Sequence, residues 1–280
     1  MFSSSFPLVP NIVHFIRFGN STLTFIDAVC ILAALKNQKP NVLMIHSDQK
    51  NFDGGKYWRV VIDHPTAKGV VQVKYRAQPD NIYGQPFSKQ FGLYHKSDVE
   101  RLRILMEYGG IYCDNDLYIV DSLDIFRNYE MTLGWEEGGG ISDQVIIASK
   151  DARFLKIWLE SYIDYRGNSW FYNGGELPTM ILKKRPYLVN SVKNGLAEYR
   201  TTVRLIYYKS NESWKYHYAI HLLIGHQRTL LSTNLSDAAP YPVVFNETNI
   251  LNYEANIKYM AIDVYPRPKV KRKKHKYSKQ

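Results

Sequence analysis

Between His95 and Asp124 the hydrophobic positions change their period, and the rest of the chain is arranged around that change. Val99, Leu102, Leu105 and Met106 recur at helical spacing, which predicts an amphipathic helix with these side chains toward the core. Ser97 reads as its N-cap, and Glu100 three residues later completes a capping box. Gly109 and Gly110 stop the helix, because glycine tolerates the left-handed conformation of a helix end. Ile111, Tyr112 and Cys113 follow as an unbroken apolar run, a brief buried strand. That strand delivers Asp114 and Asp116 to its carboxyl end, the edge where open α/β sheets bind ligands.

The flanking pattern alternates strands and helices. Asn11–Arg17, between Pro10 and Gly19, reads as a first strand. A helix over 22–36, capped by Ser21, turns Leu23, Ile26, Ala28, Ile31 and Leu35 to the sheet and leads to a second strand at Val42–Ile45. Such a β-α-β unit implies parallel pairing with a right-handed crossover. Gly69–Tyr75 reads as a strand, and Ala77–Phe91, rich in Pro, Gly, Asn and Gln, as a long loop. Leu117–Val120 reads as extended, and Met131–Trp135 and Gln144–Ser149 as strands. A helix is expected over 152–165 with Asp151 as its cap, and late strands at Val203–Tyr208 and Tyr218–Leu223. Residues 232–266 read as irregular and Pro-rich.

Two carboxylates one residue apart on an extended segment share a face. They can hold Mg²⁺ or Mn²⁺, which keeps further positions for water and for the oxygens of a diphosphate. Such an ion neutralises charge that develops on a diphosphate leaving group. Asp98 stands in the first turn of the expected helix, where the dipole favours a carboxylate. Arg101 is three residues on, on the same face. Alone, the pair is a surface ion pair worth roughly a few tenths of a kcal/mol; beside the aspartates it reads as a substrate contact. Glu136-Glu137-Gly138-Gly139-Gly140 suggests a mobile rim loop, with Glu136, Glu137 or Asp143 either beside an acceptor or in a solvated turn. His14 reads as a core histidine.

The run S-D-x-x-R, a hydrophobic helix, then G-G-I-Y-x-D-x-D resembles the core signature of the DXD sugar transferases, in particular glycosyltransferase family 32 with its α-1,4-glycosyltransferase and mannosyltransferase-like relatives. The resemblance extends from about Pro10 to roughly Leu223 and is most specific over 97–116. It implies a GT-A type nucleotide-sugar-binding fold, α/β, with a mostly parallel central sheet flanked by helices. It implies a hexosyltransferase-type enzyme with a UDP- or GDP-sugar donor, Mn²⁺ or Mg²⁺ on Asp114 and Asp116, and retaining transfer to a glycan or glycolipid acceptor. Asp98, Arg101, Tyr112, Asp114, Asp116, Gln144 and His221 become the donor-binding residues, and no catalytic nucleophile is assigned. Gln144 stands where relatives often carry Asn, and Tyr218-Ala-Ile-His221 looks like their late A-x-H segment. Tyr172–Pro178 resembles their T-G-P or N-G-P loop on the acceptor side, with Gly175 in place of the proline. The 77–91 loop is expected to border the donor, and His46 and Asp48 to stand within a nucleotide's reach. Two other readings remain open at this stage, a metal-dependent phosphohydrolase and an inactive sugar-binding relative.

Composition sets the outer bounds. With 280 residues and 45% hydrophobic content the chain can build one large core, so a single catalytic domain is expected over 1–266. Eight of the ten net positive charges belong to 267–280, a basic tail expected to be disordered, and the remainder is nearly balanced. The core has no nucleic-acid motif, so no nucleic-acid partner is expected. Cys30 and Cys113 make neither a disulfide framework nor a zinc site and read as small buried hydrophobes. His217, His221 and His226 lack the spacing of a zinc cluster. No run is long enough to cross a bilayer, and the N-terminal ten residues lack the features of a signal peptide. The resemblance points to the Golgi lumen, with membrane association through an anchor ahead of this sequence or through the basic tail; a cytoplasmic protein is the alternative. Sequons at Asn20, Asn211, Asn234 and Asn246 permit the lumenal reading.

Overall fold

Alternate side chains along the central strands divide the interior into two cores, one on each face of a sheet. Val13, Phe15, Leu43, Ile45, Ile111, Cys113, Val145 and Ile147 point into one. Ile16, Tyr112, Ile146 and Ala148 point into the other. This period-two division is what a sheet covered on both faces requires. The computed structural model describes residues 7–136, 138–197, 202–224 and 244–266.

The chain runs β1 (Ile12–Arg17), α1 (Phe25–Ala33), β2 (Val42–Ser47), α2 (Gly55–Ile62) and β3 (Val71–Tyr75). A small hairpin follows, β4 (Asn81–Ile82) with β5 (Gln85–Pro86), then α3 (Gly92–Tyr108), β6 (Gly110–Cys113) and β7 (Leu117–Ile119). Next come β8 (Met131–Trp135), β9 (Ile141–Ala148), α4 (Arg153–Ser161), α5 (Leu177–Lys184) and β10 (Asn190–Val192). The described chain ends with α6 (Thr202–Tyr207), β11 (Ala219–His221) and α7 (Asn256–Val264). Seven strands form the main sheet in the order β10-β8-β9-β6-β1-β2-β3. The pairs β1/β2, β2/β3, β1/β6 and β8/β10 are parallel; β9 is antiparallel to β6 and to β8. The expected class, α/β with a mostly parallel sheet between helices, is therefore present. Helices α1, α2, α6 and α7 cover one face, and α3 and α4 the other.

Local caps differ from expectation at α1, α3 and α4. Thr24, not Ser21, caps α1: its hydroxyl accepts from Asp27 N–H at 3.1 Å and its N–H donates to the Asp27 carboxylate at 2.6 Å. Ser97 lies inside α3, which begins at Gly92, and its hydroxyl donates to Leu93 O. Glu100, the expected second half of that box, pairs with Arg76 and Arg103 at 2.6 and 2.7 Å. Asp98 is therefore in the second turn, beyond strong influence of the helix dipole. Asp151 does not cap α4; Glu130, from before β8, accepts from Arg153 N–H at 2.6 Å. Residues 202–207 are helical rather than extended. Residues 256–264, expected to be irregular, also form a helix. Buried Asn256 ties the two together, donating to Leu205 O at 2.8 Å. Glu137, Asn234, His226 and the tail 267–280 lie outside the described residues.

Candidate active site

The turn from α3 into β6 depends on two glycines. Gly109 has φ +64° and Gly110 φ +115°. A Cβ on Gly110 would lie 2.5 Å from Ile12 O and 2.9 Å from the His14 ring, so no larger residue fits between β1 and the helix end. The reversal feeds β6 into the middle of the sheet, and Asp114 leaves its carboxyl end.

The two aspartates converge through a turn rather than along an extended strand. Asp114 N–H donates to Gln144 O and Leu117 N–H donates to Asp114 O, both at 2.9 Å. Asn115, between them, donates from its amide to Ile16 O at 2.8 Å and fastens the turn to β1. Antiparallel pairing of β7 with β11 sets His221 opposite Leu117. His221 Nε2 thereby lies 3.0 Å from Asp116 Oδ1 and 4.0 Å from Asp114 Oδ2. One ligand atom from each of Asp114, Asp116 and His221 falls within 4.8 Å of the others. The remaining carboxylate oxygens are fixed from behind. Tyr112 OH donates to Asp114 Oδ1 at 2.6 Å, and Ile224 N–H to Asp116 Oδ2 at 2.9 Å. Burial works against charge on Asp116, but His221 and the Ile224 N–H outweigh it and hold the carboxyl below its usual range. Burial likewise opposes the imidazolium of His221, and Asp116 outweighs it, so the imidazole is raised.

Beside this trio Arg101 gathers a second cluster. Its guanidinium contacts Asp98 Oδ1 at 2.6 Å, Asp143 O at 2.8 Å, Asp143 Oδ2 at 3.1 Å and Asp114 Oδ1 at 3.6 Å. It also lies 4.7 Å over the Tyr112 ring, a cation–π contact. Burial pushes Asp98 up to about 6, with Arg101 opposing and Asp114 adding to the rise. Burial pushes Asp143 up to about 7, again with Arg101 opposing and Asp98 and Asp114 adding. Burial also raises the Tyr112 phenol far above its ordinary value, so it stays a donor.

Of the expected donor-site residues, Asp98, Arg101, Tyr112, Asp114, Asp116 and His221 come together here. Gln144 joins them through its backbone carbonyl. Asp143, expected on a rim loop, is instead a buried member of the cluster on β9. His46 does not face a nucleotide; it is buried against His14. Asp48 accepts from Gly19 N–H and from the Gln78 amide. Gly174 makes room for two carboxylates: a Cβ there would lie 3.0 Å from Asp143 Oδ2 and 3.4 Å from Asp98 Oδ2. At Gly175 the Phe171 ring occupies the place of any side chain, so glycine fits there.

The family described as "Glycosyltransferase sugar-binding region containing DXD motif" matches residues 30–134. Glucan organizing enzyme 1 of Cryptococcus neoformans var. grubii is 28% identical over 198 residues, 64% of this chain and 51% of that protein. Lactosylceramide 4-alpha-galactosyltransferase of Pongo pygmaeus is 27% identical over 89 residues, 31% of this chain and 39% of that protein. The chain thus spans about half the length of the first relative and less of the second. Among solved structures, the galactosyltransferase LgtC in complex with donor and acceptor sugar analogs aligns over 92% of this chain and 98% of its own, with a TM-score of 0.45 and 12% identity. Residues 30–134, the stretch that matches the glycosyltransferase sugar-binding region containing the DXD motif, hold the long helix, the glycine reversal and both aspartates.

Proposed function

We propose that this chain is a metal-dependent retaining glycosyltransferase that moves a hexose from a UDP- or GDP-sugar to a glycan or glycolipid acceptor. The observation that carries the reading is the convergence of Asp114, Asp116 and His221 at the carboxyl edge of the sheet, with Arg101 and Asp98 beside them. Two carboxylates and one imidazole fit a divalent ion such as Mn²⁺ or Mg²⁺, and the Tyr112 and Ile224 donors hold the carboxylates in place as outer partners of such sites do. When bound, the ion neutralises charge on the leaving diphosphate. Arg101 holds the Asp98 and Asp143 carboxylates in fixed positions, and these accept hydrogen bonds from sugar hydroxyls. The Gln144 amide supplies a further donor and acceptor for the donor sugar. A Golgi-lumenal place of action belongs to the same reading; Asn20 and Asn211 of the sequons are exposed. Among the described residues no helix is long and apolar enough to cross a membrane.

Purified protein is assayed with UDP-galactose, UDP-N-acetylglucosamine and GDP-mannose, with and without Mn²⁺, by thermal shift and by donor turnover. Wild type is expected to gain stability with one donor only when Mn²⁺ is present. Asp116→Ala is expected to lose turnover by at least about a hundredfold with its fold retained. Turnover near wild type in Asp116→Ala rejects the reading. Donor binding with neither hydrolysis nor transfer to any acceptor identifies a sugar-binding relative instead.

A further inference from the structure

Outside the metal and Arg101 clusters, the 77–91 segment meets the loop at 165–170 beside the start of α3. A surface cavity of about 580 Å³ lies between them, lined by Gln85, Ser88, Gln90, Tyr165 and Asn168 among others. Next to it stand Tyr94 and Trp170, edge to face with ring centroids 4.3 Å apart, and Phe91 lies 5.5 Å from Trp170. Tyr94 is 56% exposed and Trp170 38%, a contiguous aromatic surface rather than scattered single residues. The frame behind it is pinned. The Tyr165 hydroxyl accepts from Ser88 N–H at 3.0 Å and is bonded to His95 Nδ1 at 2.7 Å; His95 Nε2 donates to Trp170 O at 3.3 Å.

Two connections join this surface to the candidate active site. Tyr94 precedes Asp98 by four residues in α3, so both lie on one helical face a turn apart. The chain that carries Trp170 reaches Gly174 four residues later, against the Asp98 and Asp143 carboxylates. Flat aromatic faces beside amides and hydroxyls match the chemistry of a saccharide, whose C–H face stacks while its hydroxyls take and give hydrogen bonds.

We propose that this surface is an extended acceptor subsite: it binds a sugar unit of an oligosaccharide remote from the hydroxyl that receives the transferred hexose. Tyr94 and Trp170 form the stacking platform, and Gln90 and Asn168 bond the hydroxyls. The inference rests on the glycosyltransferase reading above.

The test uses the full chain on an array of immobilised hexose oligosaccharides of two to six units, with thermal shift by nucleotide sugars and Mn²⁺ as the second arm. Wild type is expected to be retained by at least one oligosaccharide. Trp170→Ala and Tyr94→Ala are each expected to weaken that binding about tenfold, the size of a lost stacking contact, and Trp170→Phe to restore most of it. Asn168→Ala, a solvent-side change, gives a variant whose folding is not in question. Retention of no oligosaccharide by wild type overturns the inference, as does unaltered binding by Trp170→Ala and Asn168→Ala. If nucleotide sugars shift wild type while these variants still bind saccharide, only the subsite is wrong. If no nucleotide sugar binds wild type, the glycosyltransferase reading fails and the subsite with it.

Discussion

Helix α3 covers two buried polar clusters, and they solve burial in opposite ways. Beneath its C-terminal end, His14 Nε2–H donates to Gly109 O at 2.8 Å and His14 Nδ1 accepts from His46 Nε2–H at 3.1 Å. The carbonyl can only accept, so it fixes the tautomer of the first ring and the direction of the second bond. Burial depresses His14 to about 4 and His46 to about 3, and both stay neutral. Beneath the N-terminal half, Arg101 faces Asp98, Asp143 and Asp114, so acidic groups outnumber the one guanidinium. The first cluster is closed and needs nothing further. The second keeps surplus negative charge at a sheet edge, which the proposed cation and the hydroxyls of a sugar donor would complete. Burial of polar groups under one helix therefore marks either a strut or a site, and the charge balance tells which.

The largest break in this contrast comes from removing the guanidinium. Arg101→Ala leaves buried carboxylates unpaired and is expected to lower stability by about 3–5 kcal/mol and abolish turnover. Denaturant unfolding and donor assays measure both; a loss below about 1 kcal/mol would show that the carboxylates are not held by Arg101. The pH dependence comes next, in metal-free protein, with opposite signs in the two clusters. The histidines have folded values below the unfolded 6.5, so their contribution is present above that value and is lost as pH falls through about 4 and about 3. Asp98 and Asp143 have folded values above the unfolded one, so their contribution is present below about pH 4 and lost as pH rises through about 6 and about 7. His14→Gln, which can keep both hydrogen bonds, is expected to flatten the acid limb, and Asp143→Asn the near-neutral limb. Unfolding midpoints from pH 3 to 8 separate the two. The smallest effect belongs to Ser97→Ala. Its hydroxyl bonds only Leu93 O inside the helix, so a loss below about 0.5 kcal/mol is expected. A larger loss would restore the capping role that its position in the motif suggests.

Legibility followed the range of the interaction. The α3–β6 unit could be read from its sequence because period, glycine stops and paired aspartates are local signals. Asp98 and Arg101 were legible as a pair, though for the wrong turn of the helix, because Phe91 begins it without any side-chain cap. Asp143 looked like rim because glycines precede it; only the strand register shows it turned inward to Arg101. Asn115 carried no motif of its own, although an amide between two aspartates at a strand end was a usable hint. Residues 203–208 looked extended because their apolar run has no helical period. Leu205, Ile206 and Tyr207 are all buried, and a helix enclosed on several sides loses its amphipathic stripe. Glu130 capping α4 from 23 residues away could not be read locally at all.

The pairing of β7 with β11 has a consequence for how the protein is made. His221 reaches Asp116 across 105 positions of sequence. A nascent polypeptide that has left the ribosome only through β9 already contains both aspartates and every strand from β1 to β9, yet lacks His221 to set beside them. The proposed metal site is therefore complete only late in synthesis, and cation capture by a series of stalled translation products would time the moment at which all three side chains are in place.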